Sequence, residues 1–290
     1  MIRSMTGFGA AEGTVGAVRV AVEVRSVNHR FFNATVRLPS ELSRWESEVR
    51  EALRKRVTRG HISLSARVER GVAGGPAIDE ARFTAYVELL RTLQARHHLD
   101  GGIDIASVLR MPDVMSSVAD ADDGDVRELV AIVDASAVAL GASREAEGAR
   151  LTTYLLDRLT IVESALDRIA ARAPVRLLEQ RARLRTAVQD LAAGVAVDEQ
   201  RLAMEIAVLA DRLDVQEELS RFRSHNTAFR ETLARGDGEP VGKRLGFLLQ
   251  EMLREANTTG SKANDAAIVA DVVTIKEELE RIREQVENLE

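Results

Sequence analysis

Apolar and polar residues alternate along the first seventy positions of the chain, and this period of two predicts β structure. Residues 18–27 (VRVAVEVRSV) alternate as a strand with one buried face does. We expect 31–39 to form its partner strand and 61–70 a third strand. Residues 40–57 instead repeat apolar side chains at helical spacing. The opening segment 4–9 (SMTGFG) favours an edge strand with a turn, because it lacks the lysine and spacing of a phosphate loop.

From residue 79 onwards the apolar residues recur at steps of three and four, which predicts helices. Residues 125–192 predict two helices, with a break near 141–143 and a bend or interruption at Pro174. Residues 268–289 alternate steps of four and three, as a coiled-coil seam does. This seam must pack on another helix, either of the same chain or of a neighbouring copy.

These patterns predict an α+β fold. We expect an N-terminal β-sheet domain with one helix, followed by a mainly α-helical C-terminal region with a coiled-coil-like last helix. The expected division is a β-containing domain (1–75), a helical middle region (76–195) and a helical C-terminal domain with an acidic motif (196–290). A chain of 290 residues is long enough for one large or two ordinary domains.

Composition narrows the classes of function. The chain has no cysteine, which removes disulfides, thiolate metal sites and cysteine nucleophiles and agrees with a cytoplasmic protein. No apolar run approaches the length of a membrane span. Residues 1–70 hold 13 Lys and Arg against 7 Asp and Glu, whereas the remainder holds 27 against 39. The basic start suits a polyanion and the acidic remainder a cation, or the two parts attract each other.

An acidic stripe follows from the spacing of charged residues after position 199. If the segment is one helix, five side chains fall at offsets 0, 3, 7, 10 and 14 on one side: Asp211, Asp214, Glu218, Arg221 and His225. Carboxylates and an imidazole in one row suit a hard divalent cation or acid–base chemistry. They equally suit a solvated face with ion pairs, which is the usual role of charged helix faces.

Three further glutamates stand out. Glu205 falls in the middle of the apolar side of this helix, where a carboxylate should be paired, metal-bound or at an interface. In the next predicted helix, Glu251 and Glu255 lie one turn apart and repel each other. A shared cation would turn that repulsion into attraction, although Arg244 or Arg254 would do the same.

Basic residues cluster in the N-terminal part. They are Arg25, His29, Arg30, Arg37, Arg59 and His61. Asn28, His29 and Arg30 fall in a predicted turn between strands, where they suit contacts with phosphate oxygens. The alternative is a turn that is polar for solubility, since Asn is a common turn former.

Several separated motifs resemble the YicC family of bacterial proteins, described as metal-dependent endoribonucleases. The resemblance lies at both ends of the chain, while about 71–195 matches only in its helical character. The motifs occur in the family's order: SMTGFG (4–9), VRSVNHRF (24–31), RLPSEL (37–42), LADRLDVQEELSRFRSH (209–225), GKRLGFLLQEM (242–252) and RE-x-NT-xx-SKA (254–263). The resemblance implies a homo-oligomer, reported as a hexamer, with RNA as its substrate and Mg²⁺ or Mn²⁺ as its cofactor.

On this hypothesis the candidate residues divide into three groups. Catalytic roles are expected for His225, Glu218 and Lys262. Metal binding is expected for Glu205, Asp214, Glu217, Glu251 and Glu255. RNA binding is expected for Arg25, Asn28, His29, Arg30, Arg59, Arg221 and Arg244.

The sequence departs from the family pattern at three positions. Gly246 stands where the family usually has Asp, Leu253 where Asn is common, and Asn33 where an acidic residue is usual. The loss at 246 means either a missing metal ligand or a missing helix cap. These departures favour the alternative function, a non-catalytic RNA-binding or scaffold oligomer. A small-molecule enzyme has little support, because no nucleotide fingerprint or nucleophile elbow is present.

Overall fold

A computed structural model describes residues 2–69, 77–112, 114–116, 124–192, 198–235 and 241–290. The chain forms two compact units. The sheet unit contains Gly9–Arg25 and Phe31–Leu140. The helical unit contains Met1–Phe8, Ser26–Arg30 and Gly141–Glu290.

A four-stranded sheet contains the predicted strands. Its strands are β1 (Gly7–Val15), β2 (Val18–Val27), β3 (Phe32–Arg37) and β4 (Gly60–Glu69), in the order β1-β2-β4-β3. The alternation of residues 18–27 is confirmed as a half-buried strand, because Val20, Val22 and Val24 are buried and alternate with more exposed residues. The opening motif forms the predicted edge strand from Gly7 onwards.

The partner of β3 differs from the prediction. It pairs in parallel with β4, with Phe32 opposite Gly60 and Arg37 opposite Ser65, and it is not a neighbour of β2. A parallel pair needs a crossover rather than a tight turn. The predicted helix supplies that crossover as a 3₁₀ segment, Ser40–Trp45, followed by α1, Glu46–Arg56.

Between Ala77 and Ser116 the described residues of the sheet unit form two short strands and two helices. A two-stranded sheet pairs β5 (Ala77–Ile78) with β6 (Met115–Ser116) in antiparallel fashion. Between them lie α2 (Glu80–His97) and α3 (Ile105–Leu109). His97 is the last residue of α2, and His98 adopts the left-handed conformation of a C-cap.

One helix, α4 (Val126–Leu191), replaces the two that were predicted. The break expected near 141–143 is wrong, because the helix is continuous through Gly141, and Pro174 also lies inside it. A single glycine costs only about 1 kcal/mol in a helix. Burial on both sides of that point offsets this cost: the earlier part of α4 contributes Leu129 and Leu140 to one core, and the later part contributes Leu155 to another.

Four helices complete the chain: α5 (Glu199–Leu213), α6 (Gln216–Arg235), α7 (Val241–Ala263) and α8 (Ala266–Val286). The seam predicted at 268–289 is confirmed as a buried stripe of α8. It packs into the apolar core of the same chain, with residues of α4, α6 and α7. The seam therefore finds its partner within the chain.

The two ends of the described chain are joined. Arg3 N–H donates to the Glu290 carbonyl at 2.9 Å, and Glu290 N–H donates back to the Arg3 carbonyl at 2.8 Å. The Met5 N–H reaches the Asn288 carbonyl at 2.7 Å. Buried Arg144 binds both the Ser4 carbonyl and the Glu290 carboxylate. We call this arrangement of residues 3–5, 144 and 288–290 the terminal clasp. Among the described helices, none is long and apolar enough to cross a membrane.

Candidate active site

The chain changes direction at Asp214, between two helices. α5 ends at Leu213 and α6 begins at Gln216, while the backbone of Asp214 is extended. Its carboxylate accepts a hydrogen bond of 2.9 Å from the Gln216 N–H and so caps the N-terminus of α6. The prediction that one helix carries the acidic stripe is therefore wrong. Asp211 lies on α5 and Glu218 on α6.

Glu218 and Lys262 form the best-defined charged contact between α6 and α7. The Lys262 Nζ donates to Glu218 Oε1 at 2.7 Å and to the Asp214 carbonyl at 3.0 Å. The Glu218 side chain is only 9% exposed. Its second oxygen, Oε2, is buried and has no hydrogen-bond partner in the described part of the chain. The hydrogen bond to Glu218 raises the pKa of Lys262 above its ordinary value, because it favours the charged ammonium.

Glu255, which lies on α7, is the second buried carboxylate of this contact region, and its side chain is 6% exposed. Arg221 Nη1 lies 4.0 Å from Glu255 Oε1, and its Nη2 binds Glu217. From Glu218 to Arg221 on α6, the partner on α7 moves from Lys262 back to Glu255. The two helices therefore run antiparallel and present two carboxylates and two cations along one shared face.

Other predicted residues lie on the same two helices without a described contact to this face. His225 is half-buried, one turn beyond Arg221 on α6. Glu251 is half-buried, one turn before Glu255 on α7, and Arg244 is exposed near the start of α7. Their catalytic, metal-binding and RNA-binding roles stay predictions.

Glu205 does not have the environment that the sequence predicted. It is exposed on α5, because the apolar side of that helix is only partly covered. Leu202 and Leu213 are buried, but Met204 is 68% exposed and Val208 49%. The burial cost that singled out Glu205 is therefore absent within one chain. No described ion pair or hydrogen bond joins it to the face that contains Glu218.

The basic residues predicted for RNA binding in the N-terminal part are mostly at the surface. Arg25, His29 and Arg30 are exposed. Asn28 is exposed too, but its amide donates to the Glu287 carbonyl at 2.6 Å, next to the terminal clasp. Arg59 is half-buried. The amide of Asn28 thus has a structural contact in the helical unit.

Arg176 and Asn226 are among the buried polar residues that the sequence analysis missed. Arg176 on α4 is 2% exposed, and Asn226 on α6 is fully buried with no partner for its amide within the described residues. A signal for Arg176 was present, since Ile169, Ala173 and Arg176 follow helical spacing along one buried stripe. Asn226 follows the buried Phe222 by four residues in the same way.

The donors of this face suit a hard cation that is completed by substrate. Glu218 and Glu255 provide carboxylate oxygens, and the buried Oε2 of Glu218 lacks a partner among the described residues. No group of three or more His, Cys, Asp or Glu residues in the described ranges is placed to hold a metal. Mg²⁺ is commonly bound by one or two carboxylates together with water and substrate phosphates. Carboxylate oxygens are ligands of the kind that such an ion takes, but Lys262 and Arg221 already contact these two groups.

Comparisons with known proteins cover almost the whole chain. Residues 2–153 match the family described as "Endoribonuclease YicC-like, N-terminal region", and residues 169–290 match "Endoribonuclease YicC-like, C-terminal". A relative from Clostridioides difficile (strain 630), named "Probable endoribonuclease YicC", is 30% identical over the full length of both chains. A relative of the same name from Haemophilus influenzae (strain ATCC 51907 / DSM 11121 / KW20 / Rd) is 33% identical, also over both full lengths. The resemblance seen in the motifs is confirmed, and the chain belongs to the endoribonuclease YicC-like family.

Proposed function

We propose that this protein is a divalent-metal-dependent endoribonuclease whose reaction centre is the α6–α7 face around Glu218, Lys262 and Glu255. Membership of the family and the names of its relatives support cleavage of RNA. The observation that carries the choice of site is the buried, half-satisfied carboxylate of Glu218 beside Lys262. The proposal includes the expected homo-oligomer, a hexamer, in the cytoplasm.

Burial supports this choice because ionised groups are expensive to remove from water. Exposed ion pairs contribute little to stability, and the chain has many of them. Glu218 and Glu255 are different, since each is buried, and Oε2 of Glu218 has no hydrogen-bond partner among the described residues. A buried polar atom without a hydrogen-bond partner requires an explanation, and a role in catalysis is one such explanation.

The roles follow from the chemistry of each group. Glu218 and Glu255 would hold Mg²⁺ or Mn²⁺, which when bound polarises a phosphoryl oxygen and lowers the pKa of water. Lys262 places an ammonium beside Glu218, where it stabilises negative charge that develops on the phosphate. Arg221, which faces Glu255, binds the phosphodiester backbone in the same way. His225 moves the proton, since an imidazole is the side chain most often used for general acid–base catalysis.

A non-catalytic RNA-binding or scaffold oligomer is the second candidate. The ion pairs of Lys262 with Glu218 and of Arg221 with Glu255 favour it, because they supply opposite charge to both carboxylates without any metal. It is also favoured by Gly246 and Leu253, which depart from the family pattern. A scaffold would bind RNA without cutting it, and chelation would not alter binding.

The test is cleavage of short structured and unstructured RNAs by the full chain with Mg²⁺, Mn²⁺ or EDTA. Wild type should make internal cuts that EDTA abolishes. Glu218→Gln and Glu255→Gln should lower the cleavage rate by about 10²–10³-fold, because each removes a charge from the reaction centre. Glu231→Gln on α6 is the matched control, since Glu231 is exposed and pairs with Arg235.

Two results would count against this assignment. Folded Glu218→Gln and Glu255→Gln proteins that cleave like wild type would remove the site. RNA binding without cuts in any metal would favour the scaffold. Oligomer size is measured on the same samples by light scattering, and a monomer would exclude the hexamer.

A further inference from the structure

Arg176 is a buried guanidinium at a junction of three helices, and the reaction centre proposed above does not include it. It lies on α4 and is 2% exposed. Its Nη1 donates to the carbonyls of Lys262, at 3.0 Å, and of Ala263. Its Nη2 donates to the carbonyl of Leu213. These carbonyls belong to the last turns of α7 and α5, so one guanidinium caps the negative ends of two helices.

Two separate links meet at Lys262. Its backbone carbonyl is held by Arg176, while its ammonium holds Glu218 and the Asp214 carbonyl. The other arm of Arg176 holds Leu213, the residue before Asp214. Arg176 therefore fixes the separation of the two backbone segments that the Lys262 side chain spans.

A second arginine of α4 holds the turn that follows Lys262. Arg172 contacts the Asp265 carboxylate at 2.9 Å and the Glu179 carboxylate at 2.7 Å. Asp265 in turn caps the N-terminus of α8, directly after Asn264, whose φ of 38° is left-handed. The two arginines flank Pro174. Arg176 binds the end of α7 and Arg172 binds Asp265 at the start of α8, so together they hold the α7–α8 turn at both ends.

The charge of Arg176 is costly where it lies. Every described hydrogen-bond acceptor of Arg176 is a carbonyl oxygen, its Nε has no partner in the described chain, and burial lowers the pKa of Arg176. Apolar residues of similar volume often replace buried charges without loss of stability. A lysine could not span both helix ends, because it lacks the planar fork of five donors. The geometry thus requires a fork at this point.

We propose that Arg176 is a positioning residue for RNA cleavage, which holds Lys262 in register with Glu218. This inference rests on the proposed function of that site. Arg176 touches no reacting atom and acts through Lys262 alone. Misplacing a reacting group by about 1 Å can cost about 10²-fold in rate.

The first experiment compares Arg176→Lys with Arg158→Lys in the full chain. Arg158 is the matched control, because it is an arginine of the same helix that pairs with Glu278 on α8. Arg176→Lys should lower kcat by about 10–100-fold with KM for RNA nearly unchanged, while Arg158→Lys keeps wild-type kcat. Assays are run at a temperature at which circular dichroism shows both variants folded. A folded Arg176→Lys protein with wild-type kcat would overturn the inference.

The second experiment separates positioning from general stability. Arg176→Lys is combined with Lys262→Met, and kcat is measured for both single variants and the double variant. If Arg176 acts through Lys262, the double variant should have the kcat of Lys262→Met alone. Losses that multiply would overturn the inference. Should Arg176→Lys unfold at the assay temperature, Arg176→Gln, which keeps an amide donor without the buried charge, replaces it, with the same two outcomes.

The third experiment does not need activity, so it also works if the protein is not a nuclease. The chain has four lysines, Lys55, Lys243, Lys262 and Lys276, and acetylation of each is followed by peptide mass spectrometry. Lys262 should be acetylated more slowly than Lys243 in wild type and several-fold faster in Arg176→Lys. Unchanged Lys262 labelling in Arg176→Lys would overturn positioning. Absence of wild-type cleavage would instead overturn the proposed function.

Discussion

The sheet unit and the helical unit treat charge in opposite ways. In the described part of the sheet unit the only buried polar residue is Ser136, whose hydroxyl donates to the Val133 carbonyl. In the described part of the helical unit five charged side chains are buried: Arg144, Arg176, Glu218, Glu255 and Glu278. Because buried charge costs free energy, its concentration in one unit indicates where specific contacts or chemistry require it.

In the sheet unit, backbones approach each other closely without any buried charge among its described residues. Gly9 of β1 lies against α4, and a Cβ built on it would be 2.2 Å from the Ser136 carbonyl oxygen and 2.3 Å from the Leu140 nitrogen. Its charges remain at the surface, as in the pair of Arg67 with Glu23. Gly148 of α4 shows the same close approach in the helical unit, where a built Cβ would be 2.3 Å from the Ile2 carbonyl oxygen. The comparison teaches that the two units differ in buried charge and not in backbone approach.

The largest expected effect is on the backbone contact of the sheet unit. Gly9→Ala should lower the free energy of unfolding by about 3 kcal/mol, the upper end for overpacking, because only backbone movement can relieve the clash. Gly141→Ala on α4 is the control. It meets no atom within 4 Å and should raise stability by about 1 kcal/mol. Urea unfolding measures the change in free energy for both variants. Equal changes for Gly9→Ala and Gly141→Ala would contradict the role assigned to Gly9.

The second largest expected effect on stability concerns the buried ion pairs of Glu278 in the helical unit. Glu278 binds Arg158 and Arg281 with only 5% of its side chain exposed. Glu278→Ala should cost about 2–3 kcal/mol, less than a fully buried pair because Arg158 keeps some solvent contact. Glu23→Ala in the sheet unit should cost at most about 1 kcal/mol. A loss in Glu23→Ala as large as in Glu278→Ala would contradict the contrast.

A smaller effect concerns acid stability. The hydrogen bond from Arg172 lowers the pKa of Asp265 in the folded state. This stabilisation is present above the unfolded pKa of the carboxyl group and is lost as pH falls through the folded value. Asp265→Asn should therefore flatten the loss of stability between about pH 5 and pH 2. Urea unfolding at several pH values measures it. Parallel pH curves for wild type and variant would refute the assignment.

The smallest effect tests the role of Asp214. Asp214→Ala should lower stability by about 1 kcal/mol, because the cap of α6 is lost. Asp214→Asn keeps a capping oxygen and should keep stability. Thermal unfolding compares the two. If both variants lose stability equally, the carboxylate charge matters more than the cap. A folded Asp214→Asn protein with reduced cleavage would add a role in metal binding.

Local pattern predicted the elements well where one face is buried and the partner is near. The alternation of 18–27 and the seam of 268–289 each reflect one covered face, so both were found. The pairing of β3 with β4 was missed, because a parallel register depends on the crossover helix and not on local alternation. The continuity of α4 was missed because packing outweighs the weak helix propensity of Gly141.

The candidate site was only partly predictable for a similar reason. The sequence marks Glu218 and Lys262 as motif residues, but they are 44 positions apart and meet only through the antiparallel α6–α7 pair. The prediction that Glu205 is buried was wrong, because it assumed that the apolar side of α5 is fully covered. Helical spacing places Arg176 on a buried stripe, but its three carbonyl acceptors are known only from the structure.

The terminal clasp also sets an order of events during protein synthesis. Residues 3–5 are synthesised long before their backbone partners, residues 288–290. At about 5–20 residues per second, the wait is roughly 15–60 seconds. The sheet unit, whose residues all precede 141, has no such delay. The helical unit, which contains the proposed RNA-cutting face, closes only after residues 288–290 have been made, so the two segments of the terminal clasp join late in the synthesis of these 290 residues.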